Sequence, residues 1–312
     1  MACRLAAKPE DGVHPEVSPV MTTHSVNILH STVNIVGGNQ ANYNTSNPTS
    51  TSGAPPPLSP FNDAPVDLLS VHFTGRENEL KHISSAFEHI DDIPRRCALY
   101  GGPGVGKSQL TYGWAKWTFD RKQNAYIFWI SATTVEKLNQ GFSKMLHLIQ
   151  HPDRSHPDQS VRLMAARRWL EDVDWGNWLM VLDNVHSETI AFLREHLPRK
   201  NGRGSLLFTT RAKDVATALA SAGGQRHNVV EVPFLDVQDS VRLFRRHFDD
   251  GEMEAPMVEL EEMMKALGGL PLAISHAAAY MNKSACTVKD MLEVYRGSRK
   301  IDVRYLTSRG AP

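Results

Sequence analysis

Apolar residues are unevenly spaced along the 312-residue chain, and their spacing divides it into three stretches. Up to about residue 65 they stand isolated among Pro, Ser, Thr and Asn. From Val71 onward short, nearly unbroken apolar runs alternate with segments of helical period, and beyond residue 236 only the helical period remains. The runs are Cys97 to Tyr100, Ala125 to Ile130, Trp178 to Leu182, Ser205 to Phe208 and Val229 to Val232, with Ser205 and Glu231 as their polar members. Strand-length runs that are apolar at nearly every position suit strands covered on both faces, as in a parallel sheet. An early helix places Leu80, Ile83 and Phe87 on one face, and Thr74 followed by Glu77 has the spacing of a capping box. Further helical segments fall at about 134–150, 159–172 and 187–196. The pattern predicts an α/β fold with five parallel strands flanked by helices over residues 66–235. A small α-helical subdomain follows over 236–312, with helices at 237–248, 256–267, 271–281 and 287–296.

Chemistry enters between the first strand and the helix after it, where Gly101-Gly102-Pro103-Gly104-Val105-Gly106-Lys107-Ser108 fits the pattern G-x-x-x-x-G-K-[ST]. Strand, glycine loop and helix give consecutive backbone N–H groups facing one anion, with the positive end of the helix dipole behind them. Lys107 is placed to reach the β- and γ-phosphates of a nucleotide, and the Ser108 hydroxyl to ligate Mg²⁺. The Trp178-to-Leu182 run ends in Asp183, at the carboxyl end of a central strand, where open α/β sheets bind ligands. Asp183 is expected to hold Mg²⁺ directly or through water. The next strand ends in Thr209-Thr210-Arg211, and a cation there can approach a γ-phosphate and report its presence.

Composition narrows the remaining choices. The net charge is zero and the pI about 7.3, so no nonspecific attraction to nucleic acid is expected. Cys3, Cys97 and Cys286 form neither a disulfide framework nor a metal pattern. No apolar run reaches the length of a membrane span and no signal-peptide core is visible, so a cytoplasmic chain without membrane contact is expected. His147 and His151 are four apart, but Pro152 follows and no third ligand is in register, so helix surface is the better reading. Arg245-Arg246-His247 and Arg167-Arg168 read as solvated helix faces.

The first stretch, residues 1–65, reads as a disordered arm and linker. Within 25–45, Val26-Asn27-Ile28 recurs as Val33-Asn34-Ile35, and this low-charge, Asn-containing alternation suits either a flexible tail or a β-strand that pairs with copies of itself. Thr45 to Pro60 is a Ser/Thr/Pro-rich linker.

Five landmarks in order carry a family resemblance: Thr74-Gly75-Arg76-Glu77, the phosphate loop, Leu182-Asp183, Thr209-Thr210-Arg211, and Gly269-Leu270-Pro271-Leu272-Ala273. From about Val71 to Ile301 the chain resembles the NB-ARC/STAND class of signalling ATPases, which includes apoptosome ATPases, plant disease-resistance proteins and fungal NLR-like proteins. The aromatic strand running into Ser131-Ala132 resembles fungal members that carry tetratricopeptide or similar repeats, and the 25–45 segment loosely resembles their N-terminal signalling motifs, some amyloid-forming.

The resemblance implies an ADP/ATP-binding switch with Mg²⁺ as cofactor. Gly101, Gly102, Pro103, Gly104, Val105, Gly106, Lys107, Ser108 and Gln109 would bind phosphates, and Ser108 and Asp183 would handle Mg²⁺. Arg211 would be the sensor and, with Lys107 and Asp183, complete the catalytic set. Pro271 would approach the nucleotide from the helical subdomain, and Thr74 and Arg76 would lie beside the adenine. ADP would lock a closed state, and ATP would open it for self-association or protein partners.

Two departures qualify this. Many relatives carry a second acid after the strand aspartate; here it is Asn184, an amide that cannot act as a general base, so slow hydrolysis at most is expected. The chain also stops at Pro312, short of the room a winged-helix domain needs, so a fragment or truncated product is expected. The alternatives are a working ATPase, for which Glu188 is the nearest substitute base, and an adaptor acting through the N-terminal arm.

Overall fold

The computed structural model describes residues 58–88, 92–121, 125–174, 176–221, 228–248 and 255–296, and the backbone alone of 24–28, 31–36 and 40–44. The chain divides into two units, Met1–Pro56 and Pro57–Pro312. In the first, β1 (His24–Ile28), β2 (Ser31–Val36) and β3 (Gln40–Asn44) form an antiparallel sheet in that order. Val26 pairs with Val33 and Val33 with Tyr43, so the two Val-Asn-Ile copies lie side by side within one chain. The expectations for residues 1–20 and for the linker at 45–57 lie outside the described residues.

The second unit is a sheet layered between helices, with a helical subdomain after it. Its elements are β4 (Phe61–Asn62), α1 (Glu77–Ala86), β5 (Arg95–Tyr100), α2 (Lys107–Arg121), β6 (Ala125–Ser131), α3 (Val135–Leu148), α4 (Gln159–Asp172), β7 (Asn177–Val185), α5 (Ile190–His196), β8 (Gly204–Thr210), α6 (Lys213–Ala220) and β9 (Val229–Glu231). The order across the sheet is β4-β6-β7-β8-β5-β9, and every pairing is parallel. Strand residues alternate between two cores. Trp178, Met180 and Leu182 of β7 join Tyr126, Phe128 and Phe208 on the side of α3 to α6. Leu179 and Val181 join Cys97, Leu99, Leu110 and Trp114 on the side of α1 and α2. This double coverage is why the strands read as nearly unbroken apolar runs.

The sheet has six strands where five were expected. The sixth, β4, is two residues long and stands between Pro60 and Pro65, too short for any periodicity. It is held by the Asp63 N–H on the Ile127 carbonyl at 2.9 Å and by Phe61 edge-on to Tyr126 and Phe128. This strand lies before residue 66, where the α/β fold was expected to begin.

The subdomain comprises α7 (Val237–Arg245), α8 (Met257–Ala266), α9 (Pro271–Ser284) and α10 over 288–296. These helices share a third core built on Phe244, Leu260, Met263, Ile274 and Met281. Its seat on the sheet depends on Gly269. There φ is +63°, and an added Cβ would stand 2.2 Å from the Leu235 carbonyl oxygen. That oxygen belongs to the residue whose own N–H donates to the Gly269 carbonyl at 2.8 Å.

Candidate functional site

The carboxyl ends of β5, β7 and β8 open onto a cleft of about 610 Å³, which the residues before α1 and helices α7 and α9 close from the other side. Because β8 lies between β5 and β7, the loop after β5, the end of β8 and Asp183 of β7 converge on one spot. Lys107, first residue of α2, turns its Nζ onto the Gly101 and Gly102 carbonyls at 2.8 Å each. Burial holds its ammonium below the ordinary lysine value and the like charge of Arg211 adds to this, while Asp183 opposes it. Arg211 follows β8, is exposed, and lines the cleft.

Asp183 accepts from the Ser108 hydroxyl at 3.2 Å and from the Thr209 hydroxyl at 2.6 Å. The Asn184 N–H donates to that same Thr209 oxygen at 2.8 Å. The β7–β8 ladder shifts register between Leu182 and Val185, and Asn184 takes a left-handed φ of 58° there. Asn and Asp tolerate that region better than most residues. Asn184 lines the cleft. Glu188 stands exposed on the turn Ser187–Thr189 and is not part of the lining.

Opposite the lysine, the wall comes from separate elements. Ser70, Phe73 and Thr74 line it from the segment before α1, Leu243 and His247 from α7 and its end, and Pro271, Leu272, Ser275 and His276 from α9. Gln109 fastens the first of these: its Nε2 donates to the Leu68 carbonyl and its Oε1 accepts from the Ser70 N–H. His72 and His247 stack with centroids 3.9 Å apart, and Arg246 donates to the Phe73 carbonyl at 2.7 Å. Burial, helped by His72, pushes the His247 imidazole below its ordinary value, partly offset by the Leu243 carbonyl at its Nδ1.

Several expectations are corrected. The capping box fails: Arg76, not Thr74, is the N-cap of α1, with φ of 70° and no side-chain cap bond. Arg76 is buried, with one guanidinium nitrogen on the Val105 and Pro233 carbonyls at 2.8 Å each and the other on Glu79. The Arg245-Arg246-His247 run is not a wholly solvated face, since Arg246 and His247 both hold the segment before α1. His247 could have been found by its spacing, one turn after Leu243 on the buried side of α7. Pro271 opens α9, whose Leu272 N–H reaches the Gly104 carbonyl at 3.3 Å. Leu270 and Leu272 stand so close over Gly104 that an added Cβ there would lie 3.1 Å from the Leu272 Cβ. His151 caps a short turn through Nδ1. Among the described residues no group of three or more His, Cys, Asp or Glu could hold a metal ion, and no helix is long and apolar enough to cross a membrane.

A parallel sheet with a lysine-bearing glycine loop facing a strand-end aspartate defines the P-loop nucleoside triphosphatase class. The structure of Cdc6p from Pyrobaculum aerophilum has this fold, at a TM-score of 0.52 and 14% identity over 70% of this chain and 64% of that one. The Walker-type ATPase PABY2304 of Pyrococcus abyssi is also similar, with a TM-score of 0.48 and 16% identity over 76% of this chain and 77% of that one. Within that class the profile of the NB-ARC domain matches residues 76–253, more than half of the chain, and the chain belongs to the NB-ARC family. It is 28% identical over 246 residues to a nucleotide-binding leucine-rich repeat (NLR)-like protein of Hyaloscypha variabilis. That match takes in 74% of this chain and 24% of the relative, so the chain spans about a quarter of the relative's length.

Proposed function

We propose that this chain is an ADP/ATP-binding signalling switch that retains its nucleotide and turns it over slowly at most. The observation that carries this is the convergence of Lys107, Ser108, Asp183 and Arg211 on a cleft whose far wall is the helical subdomain. In this reading Lys107 leaves the loop carbonyls for the β- and γ-phosphates, and the N–H groups of Gly102 and of Gly104 to Ser108, followed by Gln109, cradle the chain of phosphates, with Pro103 shaping the loop. Phe73, Thr74 and Pro271 take the nucleoside. Arg211 meets the γ-phosphate, so ATP and ADP present different charges to β8.

Ser108 and Asp183 suit Mg²⁺: one hydroxyl and one carboxylate lie within hydrogen-bond distance of each other, and Mg²⁺ usually takes few protein ligands beside phosphates and water. Held there, the ion would neutralise charge on the β- and γ-oxygens. Asn184 can orient a water through its amide but cannot remove its proton, and Glu188 is exposed and outside the cleft lining. A site with that deficiency holds a state rather than consuming fuel. Opening for self-association belongs to the same reading, because a ligand shifts an equilibrium only by its difference in affinity for two states, and a cytoplasmic location is part of the proposal. The separate sheet of β1 to β3 supports a second reading, in which the N-terminal unit recruits a partner and nucleotide only stabilises the rest.

The test is to identify the nucleotide released on heat denaturation of freshly purified protein, beside Lys107→Ala. ADP near one per chain is expected from the wild type and none from the variant, with a loss of about a hundredfold in affinity for added ADP. A wild type that arrives empty and binds neither ADP nor ATP would sink the proposal.

A further inference from the structure

Arg76 stands at the edge of the cleft, but both acceptors of its Nη2 are main-chain carbonyls: Val105 in the phosphate loop and Pro233 in the passage from β9 to α7. Its Nη1 is occupied by Glu79 at 2.7 Å. At 6% exposure and with left-handed backbone, the guanidinium is held where it is by α1 itself. A trans peptide points its C=O and the following N–H in opposite directions. Tying the Val105 carbonyl to this cation therefore turns the Gly106 N–H away from the guanidinium, and both Val105 and Gly106 line the cleft. A cation on the carbonyl also polarises the peptide and makes that N–H a better donor to an anion. The preceding peptide is set likewise, since the Leu272 N–H holds the Gly104 carbonyl.

We propose that Arg76 is a positioning residue, which aims the Val105–Gly106 peptide at a diphosphate and ties it to Pro233, so that grip on phosphate and stance of the helical subdomain share one guanidinium. This rests on reading the cleft as a nucleotide site. It gives Arg76 a different task from lying beside the adenine. Leu235, two residues past Pro233, is bonded to Gly269 at the start of α9, so the tie continues into the subdomain.

The test uses the full chain, with calorimetric titration of ADP, Mg²⁺-pyrophosphate and adenosine against wild type, Arg76→Lys and Glu79→Gln. A lysine keeps the charge but cannot fork to two carbonyls. Arg76→Lys is expected to lose about tenfold or more in affinity for ADP and pyrophosphate, with adenosine within about twofold of wild type. Glu79→Gln, whose amide oxygen can still accept from Nη1, should stay within about threefold for all three. An equal loss for adenosine and ADP, an unchanged pyrophosphate affinity, or a loss in Glu79→Gln matching that in Arg76→Lys would each overturn the proposal. If Arg76→Lys does not fold, amide exchange of the wild type decides. Pyrophosphate should slow exchange in both 101–108 and 232–236, and slowing confined to the loop overturns the inference. A wild type that takes up neither ADP nor pyrophosphate would instead remove the nucleotide reading itself.

Discussion

The cleft has a lysine end and a histidine end, and they are built differently. Asp183 and Thr209 stand at the carboxyl ends of adjacent strands of one sheet, and Lys107 and Ser108 open α2 directly after the loop that leaves β5, with Asp183 bonded to both Ser108 and Thr209. The histidine end has no such frame. His72, His247 and His276 come from a loop, the end of α7 and the middle of α9, held together by a few bonds such as Arg246 to Phe73 and Leu272 to Gly104. One end is therefore rigid whatever the subdomain does, while the other exists only while the subdomain is seated. A ligand that touches both reads the distance between them.

Three experiments test that contrast. The largest effect is expected from Gly269→Ala, which strains a left-handed residue and drives a methyl into the Leu235 carbonyl. A loss of about 3 kcal/mol in denaturant unfolding is expected, concentrated in the histidine end. If nucleotide affinity survived unchanged, the two ends would not be joined as described. Next, Asn184→Asp places an acid at the lysine end in a backbone conformation that Asp tolerates. Phosphate release should rise by about tenfold or more, since a positioned general base contributes at least that much. No rise would mean that some other group limits turnover. The smallest effect is the pH response of the histidine end. The folded state holds His247 below its ordinary value of 6.5, so the unfolded chain binds more protons just below that pH. Stability is therefore full above about 6.5 and falls as pH drops through and below it. Unfolding midpoints at pH ~5.5 and ~7.5 should differ, and His247→Phe should flatten the difference. The shift will be modest because the ring is only partly buried and solvent screens it.

The same contrast explains what could be read beforehand. The sheet was legible because each strand is buried on both faces, and the loop because its residues are contiguous. β4 was missed because two residues between prolines carry no period, and pairing with β6 alone makes them a strand. Thr74 was misread as a cap because sequence spacing does not reveal that Gly75 and Arg76 both adopt positive φ, which moves the helix start to Glu77. His247 was hidden by its basic neighbours. Its spacing from Leu243 marks the buried side of α7, but its stacking partner His72 lies far away in sequence.

The side chains of Leu270 and Leu272 crowd Gly104 while the Leu272 N–H reaches its carbonyl, so loop and helix meet closely. Whatever fills the cleft beneath that contact finds its full set of walls only in the folded chain. By mass action a ligand present at a hundred times its dissociation constant would add about 2.7 kcal/mol to folding. That is a large share of the margin on which a domain of this kind survives proteases. The abundance of this polypeptide in a cell would then follow its ligand supply, falling when the pool is drained even with synthesis unchanged.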